Sequence, residues 1–168
     1  MNYRPNPFAM SLRKNAPRII GVIVPDIVTH FFASILNGIE NMAIDNGYFV
    51  IITTSHESFE HEKRNIENLV NMRVEGIIAC LSQETTDFSH FAALKEINMP
   101  LILFDRVCLT DQFSSVIADG AQSAQMATQH LLDNGSKRVA FIGGANHLDI
   151  VKRRKHGYLE ALRDNRIP

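Results

Sequence analysis

Polar and aromatic side chains follow several short apolar runs of this sequence, such as "IIGVIV" at 19–24 and "LILF" at 101–104. If those runs are parallel strands of one sheet, their carboxyl ends meet at the same edge. Charged groups there form strong hydrogen bonds to hydroxyls, and aromatic rings cover apolar C–H faces. The pattern predicts a site for a hydroxyl-rich ring. Its candidate residues are Asp26, Phe31, Phe32, Asp105, Arg106 and Asp119.

An ordinary structural role is also open to each of these residues. An aspartate at the end of a strand often caps the next helix, and a phenylalanine often packs in a core. For each residue alone, both interpretations stay open. Their coincidence at one edge of a sheet favours the binding site.

Catalytic, metal and cofactor sites find little support in the sequence. The segment "VPDIVTHFF" has no glycine to admit a phosphate, and Gly143-Gly144 lacks the rest of a nucleotide-binding motif. The seven histidines, His56 and His61 among them, are scattered. No serine stands in a GxSxG motif, and no cysteine has an identifiable histidine partner. We therefore expect no enzyme, no cofactor and no metal.

The composition is that of a globular protein of the cytoplasm. The 168 residues are 45% hydrophobic and 21% charged, with a net charge of -1. Cys80 and Cys108 have neither CxxC spacing nor a disulfide framework, which is typical of a reducing compartment. The N-terminus lacks the apolar segment of a secretory signal, and no stretch is long enough to span a membrane. The overall charge attracts neither nucleic acid nor membranes, although residues 1–17 are locally basic.

The elements that position the candidates alternate between short apolar runs and segments of helical periodicity. This alternation predicts an α/β fold with a doubly wound parallel sheet, in the order 2-1-3-4-5 for the first five strands. The predicted strands are 19–24, 48–53, 76–80, 101–105, 115–119 and, sixth, 138–144.

The helices between these strands have predictable faces and ends. Apolar spacing directs Met42 of the first helix, and Ala127 and Leu131 of the helix after the fifth strand, toward the core. Asn46-Gly47 and Asn134-Gly135 are expected to end their helices with a left-handed glycine. Residues 152–155 form a basic run. Its member Arg154 lies one helical turn before Gly157-Tyr158, and we expect it to point from a second lobe into the cleft where the candidate residues lie.

The ordered motifs resemble the LacI/GalR family of transcription regulators, whose effector-binding core is similar to periplasmic sugar-binding proteins. The resemblance covers nearly the whole chain. Thr29-His30 stands where the family has Asn-Pro, so the ligand preference stays open. The segments that carry it are "YRPNPFAMSLRKN", "IIGVIVPDIVTHFF", "VEGII", "MPLILFDR", "VIADG" and "RKHGY".

The resemblance implies a periplasmic-binding-protein-like first lobe at 18–135, the start of a second lobe at 136–168, and a hinge and linker of a DNA-binding region at 1–17. It implies a small-molecule effector, a DNA operator and a homodimer as partners. Leu12 matches the hinge leucine that wedges between base steps, with Pro5, Asn6 and Arg13 near the DNA backbone. The residues in effector-contacting positions are Asp26, Phe31, Phe32, Asp105, Arg106, Asp119 and Arg154.

Our leading hypothesis is therefore part of a ligand-responsive transcriptional regulator that senses a sugar or a related metabolite. No helix-turn-helix precedes Met1, and the chain stops one helix into the expected second lobe, so we expect these residues to belong to a longer regulator. The alternative is a sugar-binding module without DNA function. An α/β enzyme is the third hypothesis.

Overall fold

The computed structural model describes residues 18–167. Five parallel strands form one sheet in the order β2-β1-β3-β4-β5, which confirms the predicted doubly wound topology. The strands are β1 Ile19–Val24, β2 Phe49–Thr54, β3 Gly76–Ala79, β4 Leu101–Phe104 and β5 Ser114–Val116. The helices are α1 His30–Asp45, α2 Phe59–Asn71, α3 Ser89–Glu96, α4 Gly120–Asp133 and α5 Asp149–Asp164.

Both faces of the sheet carry a core, because β1 lies in its interior and alternate side chains point to opposite faces. Ile23 packs with Leu69 of α2 and Phe91 of α3 in one cluster. Val22 packs with Phe32 of α1 and Phe104 of β4 in the other. The continuous apolar runs of the strands follow from this two-sided burial.

Two helices end as the sequence predicts. Gly47 has a φ of +74°, and the N–H groups of Gly47 and Tyr48 donate to the carbonyls of Ile44 and Ala43. Gly135 has a φ of +89° and ends α4 with the same pair of bonds. Glycine adopts this left-handed conformation without steric cost, which confirms both predicted stops.

The inward faces of two helices differ from the prediction. In α1 the buried residues are Phe32, Leu36 and Ala43, while Met42 is 65% exposed. In α4 Leu131 and Ala127 are exposed. The reason is that α4 packs along α5, with Gly157 of α5 against the backbone of Ala121.

The predicted sixth strand at 138–144 is wrong. These residues form no strand in the structure, and Ile142 is 96% exposed. A strand needs a neighbouring backbone as a hydrogen-bond partner, and none of residues 18–167 offers one here. Instead the segment rests on α5 through side chains: the hydroxyl of Tyr158 donates to the carbonyl of Val139 at 2.8 Å, and its ring stacks on Phe141.

Among residues 18–167, no helix is both long and apolar enough to cross a lipid bilayer. The division into two lobes after residue 135 stays a prediction. In the structure α4, which precedes residue 135, packs along α5, which follows it.

Candidate functional site

The loops that follow the five strands lie along one edge of the sheet, because all strand pairs are parallel. The candidate site is this edge, and we call it the cleft rim. Its loops are residues 25–29, 55–58, 80–88, 105–113 and 117–119. Every effector-contacting candidate except Arg154, on α5, and Phe31 and Phe32, at the start of α1, lies in one of these loops.

Asp105 follows β4 directly, at the rim, and adopts a left-handed conformation with a φ of +58°. Its N–H donates to the carbonyl of Val116 on the neighbouring strand at 3.1 Å. Burial raises the pKa of the Asp105 carboxyl, and the charges of Arg106 and Arg154 partly oppose this rise. The side chain of Arg154 on α5 lies beside the rim, because its Cγ is 3.4 Å from the position that a Cβ on Gly120, next to Asp119, would take. The role of Arg154 as an effector contact stays a prediction.

The two neighbouring phenylalanines occupy different environments. Phe32 is buried and meets the ring of Phe104 edge to face, with ring centroids 6.4 Å apart. Phe31 is 50% exposed and rests on Phe32, with centroids 5.1 Å apart. Phe32 therefore has the structural role of a core residue, and Phe31 presents an accessible ring at the start of α1.

Two of the aspartates make local hydrogen bonds. One oxygen of Asp26 accepts from the N–H of Val28 at 2.7 Å. One oxygen of Asp119 accepts from the N–H of Gln122 at 3.0 Å and so caps α4. The structural role that the sequence left open for these residues is realised, and it orients both carboxylates at the rim.

Arg106 is engaged within the protein. Its Nη1 donates to Oε2 of Glu57 at 2.6 Å and lies 3.4 Å from the carbonyl of Leu81. Burial lowers the pKa of the guanidinium, but the hydrogen bond and charge of Glu57 outweigh it, so that the pKa rises overall. Glu57 Oε2 also accepts from the N–H of Gln83 at 2.7 Å. Arg106 thus joins the loops after β2, β3 and β4.

The buried carboxylate of Glu62 stabilises the loop after β3, which is part of the rim. Glu62 of α2 is 0% exposed, and its carboxylate accepts from the N–H of Ser82 at 2.6 Å and the hydroxyl of Thr85 at 2.7 Å. Nε2 of His90 lies 2.9 Å from the same carboxylate, while Nδ1 of His90 is buried without a partner. Ser82 also donates its hydroxyl to that of Ser55 at 2.7 Å.

Sequence reasoning missed Glu57, Glu62 and His147. The signal for Glu62 is its spacing, since it lies on the helical face shared by Phe59, Ile66 and Leu69. Glu57 comes immediately after a strand end that was already singled out, and His147 lies in the loop before α5. Its Nε2 donates to the carbonyl of Gln83 at 2.7 Å.

Within residues 18–167 no three His, Cys, Asp or Glu side chains are placed to hold a metal ion. Burial raises the pKa of the thiols of Cys80 and Cys108 to about 12, so both are protonated near neutral pH. The DNA-contacting candidates Pro5, Asn6, Leu12 and Arg13 lie outside the described residues.

Comparison with known proteins decides the family. Residues 18–167 match the family described as "Periplasmic binding proteins and sugar binding domain of LacI family". The chain belongs to this family. It is 34% identical to catabolite control protein A of Priestia megaterium, in an alignment that covers 100% of this chain and 50% of the relative. The chain spans about half the length of the curated relatives it matches, and those relatives are transcriptional regulators, not enzymes.

Two solved family structures contain sugars. A periplasmic binding protein/LacI transcriptional regulator from Alkaliphilus metalliredigens QYMF, complexed with D-xylulofuranose, is 27% identical with a TM-score of 0.79, over 90% of this chain and 54% of that one. The Cra regulator from Pseudomonas putida, in complex with fructose 1-phosphate, is 26% identical with a TM-score of 0.82, over 88% of this chain and 54% of that one. These likenesses confirm the α/β fold predicted from the sequence.

Proposed function

We propose that this chain is the effector-binding part of a LacI-family transcriptional regulator and that the cleft rim binds a sugar. The observation that carries the proposal is the position of Arg154 of α5 against Gly120, next to Asp119 at the rim. Asp105 follows β4 at the same edge of the sheet, and the exposed ring of Phe31 lies at the start of α1. A carboxylate and a guanidinium bind hydroxyl groups in fixed directions. An aromatic ring covers the C–H face of the sugar.

The charges of the rim favour a neutral sugar over a phosphorylated one. Counting only the effector-contact candidates and Glu57, and leaving out Glu84, Asp87 and Asp111 of the same loops, four carboxylates stand beside two guanidinium groups, and Glu57 already neutralises one of these, Arg106. The excess of two negative charges opposes a bound phosphate. The charged residues counted are Asp26, Glu57, Asp105, Asp119, Arg106 and Arg154.

An NMR titration of the 168-residue chain tests this proposal. We expect D-xylulose or another neutral sugar to shift the amide signals of residues 26–32 and 105–106, and D-fructose 1-phosphate to bind more weakly. Phe31→Ala should reduce the affinity about tenfold through loss of ring contact. Met72→Ala is the control, because Met72 is 55% exposed at the end of α2 and belongs neither to the rim nor to the proposed dimer surface. The absence of amide shifts with every sugar contradicts the proposal.

The proposed sugar contacts are also tested by substitution. Asp105→Ala and Arg154→Ala should each abolish the response of the regulator to its effector while the fold is kept. Isothermal titration calorimetry measures the affinity. Unchanged affinity in both variants removes the site assignment.

DNA operator binding by the regulator is part of the same proposal. It is supported by the basic segment 1–17, in which Pro5, Asn6, Leu12 and Arg13 match the hinge of the family. In the full-length regulator, Leu12→Ala should weaken operator binding because the wedge between base steps is lost. A gel-shift titration measures this, and equal affinity rejects the hinge assignment. If no DNA binds, the alternative of a sugar-binding module without DNA function is favoured.

A second copy of the chain is the proposed protein partner. Met42 and Ile44 are exposed near the end of α1, and Phe49 is exposed at the start of the edge strand β2. Such apolar side chains in one region are typical of an interface. Sedimentation velocity should detect a dimer that Ile44→Glu dissociates, and a monomer at all concentrations would contradict the proposal.

A further inference from the structure

The structure holds one hydrogen bond between residues 18–118 and residues 119–167 of the described chain. Nε2 of His147, in the loop before α5, donates to the carbonyl of Gln83, in the loop after β3, at 2.7 Å. Both residues lie beyond the carboxyl ends of the strands. The bond therefore joins the loop before α5 to the cleft rim.

The acceptor of this bond, the carbonyl of Gln83, belongs to a turn that is itself held by hydrogen bonds. The N–H of Gln83 donates to Glu57 Oε2, which also accepts from Arg106. The N–H of the preceding residue, Ser82, donates to the buried Glu62. The peptide that carries the Gln83 carbonyl is held as well, because its N–H, that of Glu84, donates to the carbonyl of Glu57 at 3.2 Å. The Gln83 carbonyl therefore has a defined direction.

The donor is anchored as well. Leu148, next to His147, is buried, and its N–H donates to the carbonyl of Ala145 at 3.1 Å. The bond therefore joins two loops that are each held in place by other hydrogen bonds.

The loop that carries Glu57 adopts a costly backbone conformation. His56 and Glu57 have φ values of +53° and +62°, and consecutive left-handed residues other than glycine are uncommon. Such a conformation persists where surrounding contacts determine it. Here three hydrogen bonds accepted by Glu57 hold it in place, two at its carboxylate and one, from the N–H of Glu84, at its carbonyl.

We propose that His147 and Gln83 form a latch across the candidate effector cleft, with Glu57 as the positioning residue that directs the Gln83 carbonyl. The inference rests on the proposed function, because it makes the latch part of the effector site. A closed latch keeps α5, and with it Arg154 beside Gly120, against the cleft rim, so the bound sugar and the closed latch stabilise each other. The latch is thus a determinant of effector affinity that contacts no sugar atom.

Spin-label distance measurements on the full 168-residue chain test the latch. Labels are placed at Lys95→Cys on α3 and Lys155→Cys on α5, both exposed positions. The native thiols of Cys80 and Cys108 are buried and protonated, so they react little with the label near neutral pH. The label-to-label distance distribution gives the populations of the latched state, in which the His147–Gln83 bond is formed, and of the unlatched state. In His147→Ala the ratio of the latched to the unlatched population should fall roughly fivefold, because one hydrogen bond of ordinary net strength is lost.

Three further variants separate the latch from a general loss of structure. His147→Gln keeps an N–H donor and should restore part of the latched population. Glu57→Ala should reduce that population in the same direction as His147→Ala. His156→Ala, an exposed histidine on α5, is the matched control and should leave the distances unchanged. Identical distance distributions for His147→Ala and the wild type overturn the proposal.

Titration of the same labelled chains with D-xylulose distinguishes failure of the latch from failure of the sugar site. If His147→Ala changes the distances but no sugar binds the wild-type chain, the latch stands and the proposed function fails. If the sugar binds wild type and His147→Ala equally and the distances do not change, the latch fails and the sugar site stands.

Discussion

Arg106 and Glu57 form an ion pair with an N–O distance of 2.6 Å that joins the loop after β4 to the loop after β2. The sequence presents Arg106 as an effector contact, because it follows a strand end directly. In the structure its guanidinium is directed at another part of the protein. Arg106 thus joins loops that surround the candidate site, and its role as an effector contact stays a prediction.

The first prediction concerns this pair. Glu57→Ala should lower the free energy of unfolding by about 2 kcal/mol, because it leaves the half-buried guanidinium of Arg106 and the N–H of Gln83 without their acceptor. Urea denaturation measures the change. Glu40→Ala, on the exposed surface of α1, should change stability by less than about 0.5 kcal/mol. Equal effects of the two substitutions would show that the ion pair contributes nothing to the fold.

The second prediction concerns Glu62. Glu62→Ala should destabilise the chain by about 3 kcal/mol or more, since three buried donors lose their acceptor. Glu62→Gln keeps the shape and one acceptor oxygen, so its effect should be intermediate and the variant should fold. Urea denaturation of both variants provides the measurement.

Glu67→Ala is the control for Glu62, because Glu67 lies on the exposed face of the same helix. It should leave the unfolding midpoint nearly unchanged. A Glu62→Gln variant as stable as the Glu67→Ala control would contradict a stabilising role for the buried carboxylate.

Sequence periodicity predicts the fold well, because strand burial and helix amphipathicity are local properties. The five strands and the left-handed stops at Gly47 and Gly135 are examples. The failed strand at 138–144 shows the limit: a strand exists only where another backbone pairs with it, and the local apolar pattern carries no information about that partner.

The candidate site was predictable in part for a related reason. Parallel topology places strand ends together, and so Asp26, Asp105 and Asp119 could be assigned to one rim. Arg154 lies on α5, and its place at the site came from its helical position and from the family resemblance. The partners of Arg106 could not be predicted from the sequence. Its bond to Glu57 joins residues 49 positions apart and depends on the turn geometry at His56 and Glu57. Glu62 was missed because a charged residue on an apolar helical face is ordinarily expected to point to solvent.

The third prediction concerns the pH dependence of stability. The pKa of Asp105 is raised in the folded state, first by burial, so the folded chain retains this proton to a higher pH than the unfolded chain. Below the unfolded-state pKa of about 4, Asp105 is protonated in both the folded and the unfolded chain, so its burial does not lower the free energy of unfolding. As the pH rises above that value the carboxylate destabilises the fold, and the cost is complete above the folded pKa.

Asp105→Asn should consequently raise the melting temperature at pH 7, and this advantage should disappear as the pH falls toward 4. Asp111→Asn, an exposed aspartate of the next turn, is the control and should show no such pH-dependent difference. Melting curves recorded from pH 4 to pH 8 test both variants. A constant difference across this range would mean that burial of the Asp105 charge does not affect stability.

The fourth prediction compares two glycines inside helices. A Cβ added at Gly157 of α5 would lie 1.9 Å from the carbonyl oxygen of Ala121 on α4, whereas a Cβ at Gly38 of α1 would meet no atom within 4 Å. Alanine favours a helix over glycine by about 1 kcal/mol. Gly38→Ala should therefore stabilise the chain by about that amount.

In Gly157→Ala the same propensity gain is opposed by a backbone collision that separates the two helices, at a cost of about 3 kcal/mol. The net effect should be a destabilisation of about 2 kcal/mol, opposite in sign to that of Gly38→Ala. Hydrogen exchange adds a local test, since amides of α4 and α5 should exchange faster in Gly157→Ala while those of β1 and β3 keep their protection. If both alanine variants were stabilised, α4 and α5 would not be packed at this distance, and the placement of Arg154 beside Gly120 would lose its support.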